Sequence, residues 1–585
     1  MAALSAPLRL VARIAIAATC GILIQPGIGS AFPELDTRSA VVPTGTELAA
    51  PDARDLRNQL QIVNGLSAPV GGGWTILPRL GIQGMLTDNA LQVQSPRSWD
   101  IASFISPGVT IVGETTRASL KLDYAPVLSL YARNSSQNGL AQQLNATGQV
   151  VLVPELAFVD VRALAGVQAR NGGIGGLGTL GMASASPITA GGFGNATGNN
   201  LGLSRQNQIQ TGSFGVSPYM THRFGDYGVG RIGLGLNASR SSSISGFGAL
   251  PVVTSGTNPQ NQLTAEQTAR FTSGEILGRI QDQVDVYISQ TTTSGQFNAN
   301  GTPNPTANNS TSNSTRQTIS NRVTYAINTS LSVFVSLGYE NIQYSNALSQ
   351  KINGITWQLG TTWTPNPDSS VAISYGRQEG AESLTLNANY AITARTTTTL
   401  SYNSRLGTQL QNLQRQLDAG TVGTNGSLVN SQTGAPLFTG TNSLGVDPGL
   451  YRFDTFTAGL NTTLERDQFS FNLTWTTQTA TGGGTPTGNS GTSKTASIQW
   501  VRQLRPDLSF SAYVGYSLNN GGGVNGGGGT RSGNSPSIAA SAALQYTFTE
   551  TLSGVVRYSY FDRTSTSPGL TMYQNLFIVG VTKQF

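Results

Sequence analysis

The sequence holds one histidine, His222, and one cysteine, Cys20. Hydrolytic triads need a nucleophile, a base and a group that orients the base. Transition-metal sites need several imidazoles or thiolates. One copy of each residue cannot build such a metal site, and a histidine in a turn on the periplasmic rim fits neither a Ser–His couple at the lipid boundary nor a His beside paired Asp residues on the external rim. His222 lies in Met220-Thr221-His222-Arg223-Phe224-Gly225-Asp226, a stretch that reads as a turn. No spaced pair of carboxylates stands out for acid–base work. The glycine-rich stretches are not followed by the lysine and helix of a phosphate loop. The inventory predicts no enzyme, no cofactor and no metal centre. What remains are charged side chains set in neutral segments. The basic ones include Arg231, Arg322, Arg405 and Arg557, with Lys121 and Arg162; the acids include Asp123, Asp160, Asp285 and Glu340. Such groups either pair across strands and stiffen a wall, or line a passage and bias which solutes enter. Arginine outnumbers acid here, which leans toward anionic or polyhydroxylated solutes.

The surroundings of these residues are unusual for a soluble domain. Only 11% of the 585 residues are charged, where a soluble domain carries about a quarter. Glycine contributes 71 residues, and 6 Trp, 18 Tyr and 20 Phe are too many aromatics for a disordered chain. The formal charge is +6, or +4 without Arg9 and Arg13, and no basic run is present. Nucleic acid is therefore not an expected partner.

From Trp74 onward the pattern has period two. In 508–518, Leu508, Phe510, Ala512, Val514, Tyr516 and Leu518 alternate with Ser509, Ser511, Tyr513, Gly515 and Ser517. In 354–363, Ile355, Trp357, Leu359 and Trp363 alternate with Thr356, Gln358, Gly360 and Thr362. Side chains alternate across a strand, so each segment has one apolar and one small polar face. Tight connections such as Asn328-Thr329-Ser330, 365–368, 465–467, 505–507 and 549–551 alternate with long ones at 171–204, 241–262, 294–315, 407–452, 480–493 and 520–535. Short turns on one rim and long loops on the other mark an outer-membrane barrel. A soluble sandwich or propeller also alternates, but has no reason for this asymmetry. The fold predicted is all-β: a transmembrane antiparallel up-and-down β-barrel of about 22 strands, within 18 to 24, over residues 74–585.

The ends supply the address. Residues 1–31 read as a cleaved signal peptide: Arg9 and Arg13, the apolar run 14–24, and small residues at Gly29-Ser30-Ala31. Residues 32–73 read as a periplasmic N-terminal tail with one short helix near 52–63, too small to fill a wide lumen. Phe577, Val579, Val581 and Phe585 alternate up to a terminal aromatic, with Lys583 departing from the pattern. Phe585 is the expected signal for the barrel-assembly machinery. The expected location is the outer membrane of a Gram-negative bacterium, in contact with its lipid and lipopolysaccharide.

The amino-terminal part of the barrel carries more specific features. They are Thr87-Asp88-Asn89, Ile105-Ser106-Pro107-Gly108-Val109, and the stretches 120–136, 140–154 and 155–163. These resemble a family of outer-membrane β-barrel porins associated with PEP-CTERM sorting and exopolysaccharide loci. The resemblance implies passage or export of saccharide and polysaccharide-export components as partners; it offers no catalytic residues. The leading expectation is a constricted, water-filled, porin-like channel with a weak anion preference set by Arg231, Arg322, Arg405 and Arg557. The competing expectation is a structural or surface-interaction barrel with long loops and an occluded pore.

Overall fold

The computed structural model describes residues 73–169, 204–205, 208–244, 260–295, 310–344, 351–408, 411–412, 415, 420–422, 428–430, 450–481, 490–524, 530–565 and 571–585. The predicted signal peptide 1–31 and the predicted tail 32–73, except Gly73, lie outside them. In chain order the strands begin with β1 Gly73–Thr87, β2 Asp100–Glu114, β3 Ala118–Tyr124 resuming as Val127–Tyr131, and β4 Gly139–Ala141 resuming as Leu144–Val153. Pro126 has no amide hydrogen to give the ladder, which fits the break in β3. Next come β5 Ala157–Ala169, β6 Gln208–Arg223, β7 Gly228–Ser243, β8 Gln260–Ser273, β9 Ile280–Gly295 and β10 Ser310–Ala326. They are followed by β11 Leu331–Tyr344, β12 Lys351–Asn366, β13 Ser369–Gln378, β14 Ala381–Thr393, β15 Thr396–Thr408 and β16 Leu450–Thr463. The last are β17 Asp467–Ala480, β18 Gly491–Arg505, β19 Leu508–Val524, β20 Thr530–Thr549, β21 Leu552–Arg563 and β22 Met572–Gln584.

Each strand pairs antiparallel with its sequence neighbours, and β22 pairs with β1 from Arg79↔Gln584 to Thr87↔Leu576. The ladder has 24 segments, of which β3 and β4 supply two each, so the closed barrel has 22 strands. Closure satisfies the backbone within the wall, which is what an apolar bilayer demands. Parity sorts the side chains. Ile355, Trp357, Leu359, Trp363, Val514, Tyr516, Tyr558, Phe577 and Val579 face outward and are exposed. A closed barrel with this apolar, aromatic outer face is a transmembrane barrel of the outer membrane.

The rims differ as the sequence predicts. Ten connections on one rim have two to six residues, whereas the other rim carries connections as long as 409–449. Two details differ from the sequence reading. The predicted loop 520–535 is mostly ladder: Gly521, Gly522 and Gly523 pair with Gly533, Ser532 and Arg531, leaving 525–529 as the connection. Glycine is a poor strand former, yet the ladder uses only backbone groups, so a run inside a hairpin can still pair. The second is a two-residue connection, Glu379-Gly380, on the long-loop rim. Both residues have positive φ (53° and 76°), as the favoured two-residue hairpin turn requires.

Candidate functional site

The register places charged residues that sequence parity alone could not align. Arg231 on β7 pairs with Arg270 on β8, and Arg270 with Asp285 on β9, all on the inner face. Arg270 Nε donates to Asp285 Oδ1 at 2.6 Å, and Gln283 Nε2 donates to Asp285 Oδ2 at 2.6 Å. The Arg231 guanidinium lies 4.1 Å from the centre of the Tyr219 ring, a cation–π contact. One step toward the outer rim, Tyr287 Oη donates to Glu266 Oε1 at 3.1 Å. These groups line a cleft along β6–β14, with Thr318, Ser320, Ser336, Thr356 and Gln358 also on its wall. Hydroxyls, amides, two tyrosines and charges of both signs make it a polar, hydrogen-bonding surface.

A buried ionic cluster roofs this cleft on the outer-rim side. β13 and β14 form a short hairpin, so β14 pairs with β15 only from Leu386↔Tyr402 downward. Above that point β15 keeps its pairing with β16 as far as Thr408↔Leu450 but has no strand on its other edge. Side chains replace the missing strand. The Glu379 carboxylate accepts from the Leu406 amide and from Arg316 Nη1 at 2.5 Å. The Leu406 carbonyl accepts from Arg415 Nη2 at 3.0 Å. Glu340 caps the turn itself, its carboxylate accepting from the amides of Glu379 and Gly380, each at 2.9 Å. Leu406 and Leu450 pack on Ile342 and Tyr344 of β11. Gln411 Nε2 then donates to Ser314 Oγ of β10 at 2.9 Å. The start of the long connection after β15 is thus tied across the mouth to β10.

Glu379 lies in the connection outside the strands. Burial acts to raise its carboxyl, but the guanidinium of Arg316, with Arg415 and Arg405, more than offsets this and holds it at about 2. The same contacts fix a non-glycine residue at positive φ, a conformation that costs free energy on its own.

The opposite part of the wall is different in kind. Met85, Ala102, Phe104, Val127, Tyr131, Leu576 and Ile578 face inward on β22 to β3 and form one buried apolar cluster. The small polar inner face seen elsewhere does not extend to this sector, because period two shows that a strand has two faces and not which of two weakly apolar faces meets lipid. Beside this cluster Arg557 pairs with Ala543 and Ile578 and is 2% exposed. None of its three guanidinium nitrogens has a hydrogen-bond partner among the described residues. Nearer the inner rim, Arg79 makes a bidentate pair with Asp123 at 2.6 and 2.7 Å, which is the wall-stiffening role.

The four arginines singled out from sequence all face inward, spread around the wall. Arg231 borders the cleft, Arg322 lies 3.9 Å from the centre of the Phe334 ring, Arg405 stands in the field of Glu379, and Arg557 is isolated on β21. Sequence reasoning missed Arg270, Arg316, Arg415 and Glu379. A Glu-Gly pair between two alternating runs was a usable turn signal; the link from Glu379 to Arg316 spans 63 residues and left none. His222 is the next-to-last residue of β6 rather than part of the turn, exposed, with its ring 4.6 Å from that of Phe224 in an edge contact. Phe585 is 68% exposed, and its amide donates to the Pro78 carbonyl at 2.9 Å, tying the carboxyl end to β1. Lys583 donates to Thr551 Oγ1 at 2.6 Å, which explains a cation in an apolar alternation.

No family model and no curated protein matches the chain. Solved structures similar in fold include the FrpB iron transporter of Neisseria meningitidis in its apoprotein form, at 10% identity and TM-score 0.49, covering 87% of this chain and 81% of that one. Another is the ferric-catecholate import receptor Fiu of E. coli K12 in its open form, at 11% identity and TM-score 0.46, covering 86% and 81%. Likeness at this level carries no argument about family or cargo.

Proposed function

We propose that this barrel is a passive, porin-like channel for polar solutes, with saccharides as the solute class, including the exopolysaccharide implied by the resemblance of its first strands. The observation that supports this reading is the polar, hydrogen-bonding cleft on the inner wall. Within it Arg270 is paired with Asp285, and Arg231 keeps its charge against the face of the Tyr219 ring. A sugar brings hydroxyls and weakly apolar ring faces, which hydroxyl, amide and tyrosine side chains match without a fixed charge to hold it. Nothing in this reading involves catalysis.

Purified protein in liposomes tests it. Swelling in isosmotic mono-, di- and trisaccharides should fall with solute size, and Tyr287→Phe with Gln358→Leu should change that size series. Liposomes that do not swell in any saccharide would remove the reading. The competing reading, an occluded barrel whose loops contact other surfaces, draws support from the buried apolar sector around Phe104 and Ile578.

A further inference from the structure

Two arginines on the outer rim have no carboxylate to hold. Arg97 lies in the connection 88–99 and Arg133 in the connection 132–138, and both are exposed. The Arg97 guanidinium stands over the Tyr573 ring, 4.0 Å from its centre, and that of Arg133 over the Trp99 ring, 3.5 Å from its centre. Among the described residues neither forms an ion pair. Arg505, at the opposite rim, also lies over a ring, that of Tyr546, but is paired with Asp507 at 3.0 Å. A guanidinium laid over a ring keeps its in-plane N–H groups available, and that edge matches two oxygens of a phosphate or carboxylate.

The loops that carry these arginines are tied in place. The buried Asp100 carboxylate accepts from the amides of Arg133 and Asn134, at 3.0 and 2.8 Å, and from Asn134 Nδ2 at 2.8 Å. Asn134 Nδ2 also donates to Ser98 Oγ at 3.1 Å, which joins the two loops. The Ala90 amide donates to the Ser98 carbonyl at 2.8 Å, and Asn89 Nδ2 to the Tyr573 carbonyl at 3.0 Å. Asp88 is engaged by the amide and the side chain of Asn575, each at 2.7 Å. Asp562, opposite Tyr573 in the ladder, bounds the patch on the β21 side. Neighbouring strands stand about 4.8 Å apart, so about 10 Å of wall separates the two rings.

Below the arginines the outer face is apolar. Phe577, Leu86 and Ile101 form one cross-strand row on β22, β1 and β2, with Leu130 beyond them on β3, and all four are exposed. Cations backed by rings, above an apolar wall, fit a molecule with phosphate at its head and hydrocarbon beneath. At this rim of an outer-membrane barrel the outer leaflet supplies one, the phosphorylated lipid A of lipopolysaccharide. We propose that Arg97 and Arg133 form a lipopolysaccharide site, each guanidinium holding a lipid A phosphate, with acyl chains along Phe577, Leu86, Ile101 and Leu130. The site does not depend on what the lumen passes, and its test does not measure transport.

The folded protein in detergent is titrated with bisphosphorylated lipid A, and bound lipid is counted by native mass spectrometry. The unaltered protein should bind it. The same lipid stripped of its phosphates should bind at least about tenfold more weakly, since a hydrogen bond to a charged group is worth about that factor. Arg97→Gln with Arg133→Gln should bring lipid A down to the affinity of the phosphate-free lipid, whereas Arg505→Gln should leave it unchanged. If the double variant does not assemble, each substitution is measured alone and should lose part of the same difference. Equal binding of the two lipids, or no loss of lipid A in the Arg97 and Arg133 variants, would overturn the proposal. So would displacement of lipid A by inorganic phosphate, which would make the site one for the free anion.

Discussion

At the scale of single residues, the account turns on a buried carboxylate held by arginines. Removing one partner of a buried pair leaves the other charge uncompensated, at a cost of about 3–5 kcal/mol. Glu379→Gln should therefore lower resistance to denaturant or heat by that order, read from the folded fraction in detergent. The pH dependence has a defined sign. The carboxyl titrates at about 2 in the folded chain against about 4.3 unfolded. Its stabilising contribution is complete above the unfolded value and is lost as pH falls through about 2. Stability of the native chain should thus fall on acidification from pH 4 toward 2, and Glu379→Gln should flatten that fall. An unaltered acid limb in the variant would remove Glu379 from the cluster's energetics. The arginines make a second prediction. Changing Arg231, Arg322, Arg405 and Arg557 to Gln should shift permeability toward cations, because charges lining a pore bias ion entry. An unchanged reversal potential with normal conductance would keep the channel and discard their role.

At the scale of elements, the β15–β16 hairpin and the closing strand respond differently to change. The upper edge of β15 is held by Glu379, Arg316 and Arg415 rather than by a strand. Replacing 416–447 with a short Gly-Ser turn should spare assembly but widen the mouth, raising unit conductance. Deleting Phe585 should impair assembly far more than deleting 525–529, since Phe585 sits where β22 closes on β1 and exposed loop tips tolerate change. Equal yields of folded barrel from the two deletions would contradict this. Much at this scale was legible beforehand. Alternation at 354–363 and 508–518 assigned the correct outward faces, and turn residues at 505–507 and 549–551 marked one rim. The glycine run at 521–523 misled, because composition describes side chains while the ladder is made by backbone. The ionic cluster was not legible at all: Arg316 and Glu340 of one hairpin, Glu379 of a second and Leu406 of a third meet only through the inter-strand register. The apolar inner sector was hidden for a related reason, since a strand such as β22, Met572 to Gln584, carries Leu576 and Ile578 inward and Phe577 and Val579 outward, with little contrast between its faces.

At the scale of the whole molecule, closure of β22 on β1 predicts a heat-modifiable protein that fractionates with outer membranes, because the ladder must be broken cooperatively before the chain unfolds. A wall of 22 strands encloses a wide lumen, of which one side is a polar cleft and the other a buried apolar sector. The central claim is that the polar side conducts. Single-channel recording in a planar bilayer, under a salt gradient, tests it most directly. The account predicts stable unit conductance, a reversal potential displaced weakly toward the anion value, and larger steps when 416–447 is shortened. A folded, inserted barrel that passes no current, even with 416–447 shortened, would contradict it.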